Sequence, residues 1–496
     1  MSTAAAPPAT SLLRPATAAL TTGSNNRVHL KNLEHLFRNR GAAVESATPA
    51  HAQQPVMKAR RRQQQAPLLR LPSFLARGRG EVVMKKEEDV SPRRLERVLL
   101  PAAPDGPSPR GNIAASWRRL HGEHDWRGLL DPLHPDLRRE IVRYGEFVDA
   151  AYGAFLSRPD AAPGDRVRVP LQDGGAYRVT APLFATSSVG LPTWLASAAP
   201  CAGQRTSLVG YVAVCESPAE VRRMGRRDIV IALRGTCTVL EWAENVRAGL
   251  VPATDAASAA DSPPDAPTPK VECGFWNLYK TAAGDGGGSP SPSLSEMVVS
   301  EVRRLLTKYE GEEVSITVTG HSLGAALAVL IADELAGLGA PAPVAVFSFG
   351  GPRVGDRAFA SRVEARGARV LRVVNAHDVV PRFPPRLPAM PSRYADVGRE
   401  LRLDSRASPY LRPDADAACC HDLEAYIHLV DGFLGSHCPF RDNAKRSILR
   451  LLENQGGNVK QLYISKAMDM RVRLDGGVGD MPAAPLGRVE VLECVH

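Results

Sequence analysis

Ser322 lies in TVTGHSLGAALAVLIADEL (317–335), with Gly320 two residues before it and Gly324 two after. The β-branched run VSITVTG (314–320) predicts a buried strand and AALAVLIADEL (325–335) a buried helix, so Ser322 falls on the turn that joins them. A Gly-x-Ser-x-Gly turn in that setting holds its serine in a strained backbone, and glycine on either side lets strand and helix approach closely. The chemistry it offers is acyl transfer. The Ser322 Oγ would stand off the sheet edge as a nucleophile, and the N–H of Leu323, at the helix start, would point where an oxyanion forms. Outside a strand–helix context the same five residues would be a glycine-rich turn with a solvated serine.

A serine hydroxyl is a weak nucleophile at neutral pH, so this chemistry requires a histidine base and a carboxylate to orient it. In α/β-hydrolases the order is serine, acid, histidine. Two further buried strands follow Ser322, in PVAVFSFGGPRVGD (343–356) and RVLRVVNAHDVVPRFPP (369–385), and Asp378 comes just after the second. That places it at the strand end where open α/β sheets build their sites. An Asx turn ahead of Pro381 is the plainer role for the same residue. The histidines downstream are His421, His428, His437 and His496. In CCHDLEAYIHLVDGF (419–433) His421 opens an amphipathic helix and His428 lies seven residues on, roughly 10 Å along the same face. An element-terminal histidine can turn towards a sheet-edge serine, whereas His428, among Ile427, Leu429 and Val430, reads as a satisfied core residue. His421 is therefore the expected base.

The segments GHSLGAALA, SFGGPRVGD, RVVNAHDVVPRFPP and HDLEAYIHLVDGF, in that order, resemble the class 3 (fungal-type) lipases. Within them the likeness is greatest to the plant phospholipase A1 group that includes the defective-in-anther-dehiscence-type plastid lipases. Earlier segments share it: 116–155, TSSVGLPTWLA (186–196), IVIALRGTCTVLEWAENV (229–246) and VECGFWNLY (271–279), so that it spans about residues 110–470. The resemblance implies an α/β-hydrolase fold with a mostly parallel central sheet and puts the family's triad on Ser322, Asp378 and His421. It adds Thr236 of RGT (234–236) as a second oxyanion donor beside Leu323, and it makes TCTVLEWAENVRAGLV (236–251) a short helical lid. A core helix with a buried Trp242 fits that spacing equally well. It further implies hydrolysis of membrane glycerolipids at the sn-1 ester of phosphatidylcholine, with galactolipids or triacylglycerol as other substrates. A lipase-shaped scaffold that binds protein partners without turnover is the alternative function, and a complete triad speaks against it. No cofactor and no metal is called for.

The rest of the chain sets the frame for these elements. Its 496 residues, 44% hydrophobic and 23% charged, suffice for one α/β domain with extensions. The net charge of +9 suggests a nucleic-acid or membrane partner, but its distribution does not support a phosphate-tracking groove: residues 1–100 hold 17 Lys/Arg against 7 Asp/Glu, leaving 45 against 46 in 101–496. Residues 1–33 contain no acid, many Ala, Ser and Thr, and Arg14, Arg27 and Lys31, as in organelle transit peptides. Plastid import is the preferred destination, mitochondrial import the alternative, within a basic leader over 1–110. The run KARRRQQQ (58–65) also fits a nuclear-localisation or heparin patch. The longest apolar stretch, AALAVLIA (325–332), is far short of the roughly 20 residues a bilayer helix needs, so membrane contact is expected to be peripheral. Cys419, Cys420, His421, His437 and Cys438 could be imagined as a zinc cluster, but they lack Cys-x₂-Cys spacing, and a metal on His421 would leave the serine without its base. The Pro-, Gly- and Ser-rich segments 255–270 and 282–295 predict flexible insertions flanking GFWNLY, within a lipase domain over 111–474. Residues 445–474 predict one more helix and a strand, and 475–496 a C-terminal tail.

The charge distribution generates a test: residues 1–110 fused to a fluorescent reporter are expected to enter plastids and be shortened there. Recovery of the intact basic chain in the cytosol, released from anionic vesicles by salt, would contradict this, because it would mean the leader is an electrostatic membrane tether.

Overall fold

The computed structural model describes residues 111–171, 175–188, 206–236, 249–254, 267–283, 291–384, 394–408, 410–431, 451 and 456–459. The expected leader 1–110, residues 237–248 of the expected lid helix 236–251, most of 186–196 and of 445–474, and the tail 475–496 lie outside the described residues, while Leu250 and Val251, expected at the end of that helix, begin a strand.

Helix α1 (Pro135–Ser157) starts at a proline, with the His134 side chain accepting from the Asp136 N–H. Its residues Leu137, Ile141, Tyr144, Val148, Ala151 and Phe155, spaced three and four apart, are all buried. Strands β1 (Tyr177–Thr186), β2 (Thr206–Cys215) and β3 (Arg227–Leu233) follow, then a short ribbon of β4 (Leu250–Pro252) and β5 (Lys270–Glu272). Helix α2 (Cys273–Lys280), which carries GFWNLY, is capped by Glu272, whose carboxylate accepts from the Phe275 N–H at 2.7 Å. Helix α3 (Leu294–Lys308) opens with a capping box in which Ser293 and Glu296 satisfy each other's backbone N–H groups. Ser293 and the buried Leu294 therefore belong to a helix start, although the Ser/Pro composition of 282–295 favours a loop throughout. The Ser-x-x-Glu spacing is the signal that composition hides. The order continues β6 (Val314–His321), α4 (Leu323–Gly337), β7 (Val344–Phe349), α5 (Arg357–Ala365), β8 (Arg369–Asn375), β9 (Arg399–Leu403) and α6 (Leu423–Asp431).

The main sheet runs β1-β2-β3-β6-β7-β8-β9, antiparallel from β1 to β3 and parallel from β3 to β9. Alternate residues of the strands feed opposite cores. Ile229, Ile231, Leu233, Ile316, Val318 and Val346 pack with α2, α3, α4 and α5, whereas Val230, Ala232, Phe347, Phe349, Leu371 and Val373 pack with α1 and α6. Covered on both faces, β3, β6, β7 and β8 are buried along almost their whole length and largely apolar, which is why they read clearly in the sequence, whereas the edge strand β9, Arg-Glu-Leu-Arg-Leu, is mostly exposed and does not. This is the α/β-hydrolase arrangement, with Ser322 at the turn between β6 and α4.

One face of β6 is an exception. Ser315 and Thr317, on the α1 side, donate to the fully buried Asp228 of β3, each at 2.9 Å. Tyr144 and Tyr177 donate to the other Asp228 oxygen at 3.1 and 3.0 Å, and Arg143 reaches it at 3.3 Å. Arg226 donates to Ser315, Tyr144 and Glu140. Burial works against the Glu140 charge, but Arg143 and Arg226 outweigh it and bring its pKa down to about 2. Asp228 likewise stays below the usual carboxylate range, burial being overcome by Arg226 and Arg143. This network fixes the angle at which α1 crosses the sheet, because buried charges tolerate little loss of partnership.

Among the described residues no helix is long and apolar enough to cross a membrane. Asp228→Ala leaves two buried guanidinium groups partly uncompensated and should lower the unfolding free energy by about 3–5 kcal/mol, read by urea denaturation at pH 7. A loss below about 1 kcal/mol would show that the network does not anchor the helix.

Candidate active site

The elbow is set by close approaches. Ser322 sits at φ 55 and ψ −122 between β6 and α4, a region rarely adopted by any residue but glycine. A Cβ on Gly320 would come within 2.3 Å of the Gly324 carbonyl oxygen, and one on Gly324 within 2.4 Å of the Arg234 oxygen and 2.5 Å of the Leu233 oxygen. The two glycines therefore let α4 start directly against both its own strand and the end of β3. The Ser322 N–H donates to the Phe349 carbonyl at 3.0 Å, tying the turn to β7.

Asp378 and His421 arrive from the same edge. Asp378 lies three residues past the end of β8, fully buried, with its Oδ1 accepting from the Val380 N–H at 2.9 Å. His421 closes the short helix Ala417–Cys420 just ahead of α6. Its Nδ1 is 2.6 Å from Asp378 Oδ2 and its Nε2 is 2.9 Å from Ser322 Oγ. With Asp378 ionised, Nδ1 carries the proton and donates, which leaves the Nε2 lone pair for the serine hydroxyl. His421 is 3% exposed and Asp378 1%, while Ser322 is half-buried, so the serine is the one member open to a ligand. His428 is buried elsewhere, in contact with Ser408 Oγ at 3.0 Å, and burial lowers its pKa to about 3. Of the cysteine and histidine cluster, His437 and Cys438 lie outside the described residues, Cys419 and Cys420 are buried, and both ring nitrogens of His421 are engaged.

Thr236 follows β3 on the same edge, half-buried, and Leu323 occupies the first turn of α4, where backbone N–H groups lack intrahelical acceptors. The loop before Thr236 is anchored by Arg234, which is 1% exposed. Its guanidinium donates to the Leu208 carbonyl at 2.7 Å, to Ser207 Oγ at 2.6 Å and to the Gly235 carbonyl at 2.6 Å, over the Phe155 ring. Its position, a charge ending the apolar run DIVIAL, was a signal in the sequence that motif matching passes over.

Tyr426, by contrast, is a residue the sequence does not reveal. Its hydroxyl donates to Asp378 Oδ2 at 2.7 Å and accepts from the Asn375 N–H at 3.1 Å. Burial and then the Asp378 charge raise its pKa well above the ordinary tyrosine value, so it remains a donor. Gly350, at φ 58, makes room: a Cβ there would lie 3.1 Å from both Asp378 Oδ2 and the Tyr426 hydroxyl. Asn375 completes the support, its side-chain amide donating to the Cys420 carbonyl at 2.9 Å beside His421.

Comparison with known proteins places this arrangement. The sequence profile of the family described as Lipase (class 3) matches residues 230–387. Phospholipase A(1) DAD1, chloroplastic, of Arabidopsis thaliana is 40% identical over 418 residues, 77% of this chain and 92% of that protein. The chain belongs to the class 3 lipases. Phospholipase A1-Igamma1, chloroplastic, of Arabidopsis thaliana is 41% identical over 64% of this lipase and 68% of its own length, and Phospholipase A1-II 4 of Oryza sativa subsp. japonica 38% over 69% and 87%. The solved lipase from Rhizopus microsporus var. chinensis aligns at 21% identity over 55% of this chain and 75% of its own, with a TM-score of 0.36, too low to add to the topology already described. The protein is a hydrolase of the lipase and phospholipase A1 kind.

Tyr426→Phe removes one hydroxyl and should lower kcat about tenfold or more by freeing the Asp378 carboxylate, with about 1–3 kcal/mol of stability lost through the unpaired Asn375 N–H. Steady-state kinetics and urea unfolding read the two effects. A wild-type kcat would show that His421 and Val380 alone hold Asp378 in place.

Proposed function

We propose that this class 3 lipase hydrolyses the sn-1 ester of membrane glycerolipids through Ser322, His421 and Asp378. Phosphatidylcholine is the first candidate substrate, and galactolipids or triacylglycerol are the others. The observation that carries the proposal is the directional hydrogen-bond chain from Ser322 Oγ through His421 to Asp378, 2.9 and 2.6 Å long, ending on a half-buried serine. His421 Nε2 takes the hydroxyl proton as Oγ attacks the ester carbonyl, and Asp378 stabilises the imidazolium that forms. The tetrahedral oxyanion is met by the backbone N–H groups of Leu323 and Thr236, and losing one such donor typically costs on the order of 3 kcal/mol of transition-state stabilisation. His421 then protonates the departing lysolipid oxygen. A water, deprotonated by the same nitrogen, attacks the acyl-serine and releases the fatty acid.

Support for the lipid class comes from the relatives, three of which are named phospholipases A1 above. Contact with the membrane is peripheral in this proposal. The leader composition together with the chloroplastic names of two relatives supports the plastid as the site of action. The mitochondrial alternative has no counterpart among them.

Ser322→Ala and His421→Ala should fold normally and lose at least about a thousandfold in kcat, and Asp378→Asn on the order of 10⁴-fold, since its amide mis-sets the histidine tautomer. Assay on phosphatidylcholine labelled separately at sn-1 and sn-2 should release the sn-1 label first. An inactive His428→Ala beside an active His421→Ala would move the base, and preferential sn-2 release would overturn the positional assignment while leaving the triad.

A further inference from the structure

His321, the residue before the nucleophile, is buried and has both ring nitrogens engaged. Its Nε2 lies 2.8 Å from the backbone oxygen of His421, and its Nδ1 2.8 Å from the Tyr152 hydroxyl of α1. That hydroxyl in turn lies 2.8 Å from the Gly235 N–H, one residue before Thr236. A carbonyl oxygen can only accept, so Nε2 carries the ring proton. Burial first, and then the nearby His421, push the His321 pKa well below the ordinary histidine value, so the ring is neutral and Nδ1 presents a lone pair. The Tyr152 hydroxyl must then donate to Nδ1 and use an oxygen lone pair for Gly235. The result is a one-way chain: Gly235 N–H to Tyr152, Tyr152 to His321, His321 to the His421 carbonyl.

A satisfied core histidine beside a helix tyrosine would make similar bonds. What separates this pair is where the chain ends. It joins the loop bearing Thr236 to the peptide bearing the base, and it passes directly behind Ser322: a Cβ on Gly235 would come within 2.4 Å of the Tyr152 oxygen and 3.0 Å of Ser322 Cβ. The His321 and His421 rings lie with centroids 4.8 Å apart, so a neutral His321 spares the transient His421 imidazolium a like charge. Its mounting is rigid, because the Asp228 network holds α1 against the sheet.

We propose that Tyr152 and His321 are positioning residues that hold the Gly235–Thr236 backbone and the His421 backbone in register with Ser322, so that the oxyanion donors and the base act on the same tetrahedral centre. The proposal rests on the triad and oxyanion assignment above. Neither residue touches the substrate; they act through Gly235 and His421. Displacements of about 1 Å in such groups can cost on the order of a hundredfold in rate.

The test uses the full-length protein, a soluble short-chain p-nitrophenyl ester, and Tyr152→Phe, His321→Leu and the double variant beside Ser322→Ala. Tyr152→Phe removes a single hydroxyl and keeps the ring, so folding is checked by melting temperature and by stoichiometric fluorophosphonate labelling. The expected result is a fall in kcat of about 10- to 100-fold with KM little changed, and a matching loss of affinity for a boronic acid that forms a tetrahedral adduct. Because one chain is broken in each case, the double variant should be no slower than the worse single variant. A wild-type kcat in Tyr152→Phe, undiminished boronic acid affinity, or additive losses in the double variant would overturn the proposal. Were Ser322→Ala inactive while Tyr152→Phe kept full activity, only the positioning role would fall; activity in Ser322→Ala would overturn the triad and the positioning role together.

Discussion

Everything at the candidate site depends on one close approach, that of β6 to α4 and of both to the end of β3. Gly320 and Gly324 permit it because any side chain at either position would overlap backbone atoms. The approach forces Ser322 to φ 55, a conformation that costs on the order of 1–3 kcal/mol and that only a well-packed surrounding can maintain. The surrounding is well packed: α4 is buried on nearly every side, and β6 is the central strand of the seven-stranded sheet. The strain has a use. It turns Oγ out of the sheet edge and leaves the first N–H groups of α4 facing the same space.

The other groups reach that edge from far along the chain, and each is held by a buried polar contact and not by its own loop alone. Asp378 is fixed by Val380 and Tyr426, the Cys420 peptide beside His421 by Asn375, and the Thr236 loop by Arg234. Behind them the network around Asp228 fixes α1, and with it Tyr152. Stability and geometry are thus the same matter here. A buried charge left without a partner costs several kcal/mol, and the resulting rigidity passes to the site through hydrogen bonds of fixed direction.

The buried parallel strands and the three residues that meet at the candidate site were legible in the sequence for local reasons. Strands covered on both faces are continuous apolar runs, the elbow is a five-residue pattern in its proper setting, and Asp378 follows a strand end. His421 was distinguished from His428 by lying at the end of an element, and the geometry separates them the same way: one faces Ser322, the other Ser408. The supporting residues were not legible because their meaning is non-local. Tyr152 and His321 are 169 residues apart, and Tyr426 and Asp378 are 48 apart. Asp228 sits at the head of an apolar run, where the sequence shows a strand and conceals the five donors that surround it. The alternation of Ser315 and Thr317 with Val314, Ile316 and Val318 was the available hint, since hydroxyls at period two in a buried strand imply a buried acceptor.

The proposed mechanism makes Ser322 the nucleophile of this hydrolase. Labelling the purified protein with a fluorophosphonate and mapping the adduct by tandem mass spectrometry of its peptides tests it most directly. One adduct per chain is predicted, on the Ser322 peptide, with hydrolysis of phosphatidylcholine lost in proportion to labelling. An adduct on another serine, or full hydrolysis by protein fully labelled at Ser322, would contradict the account.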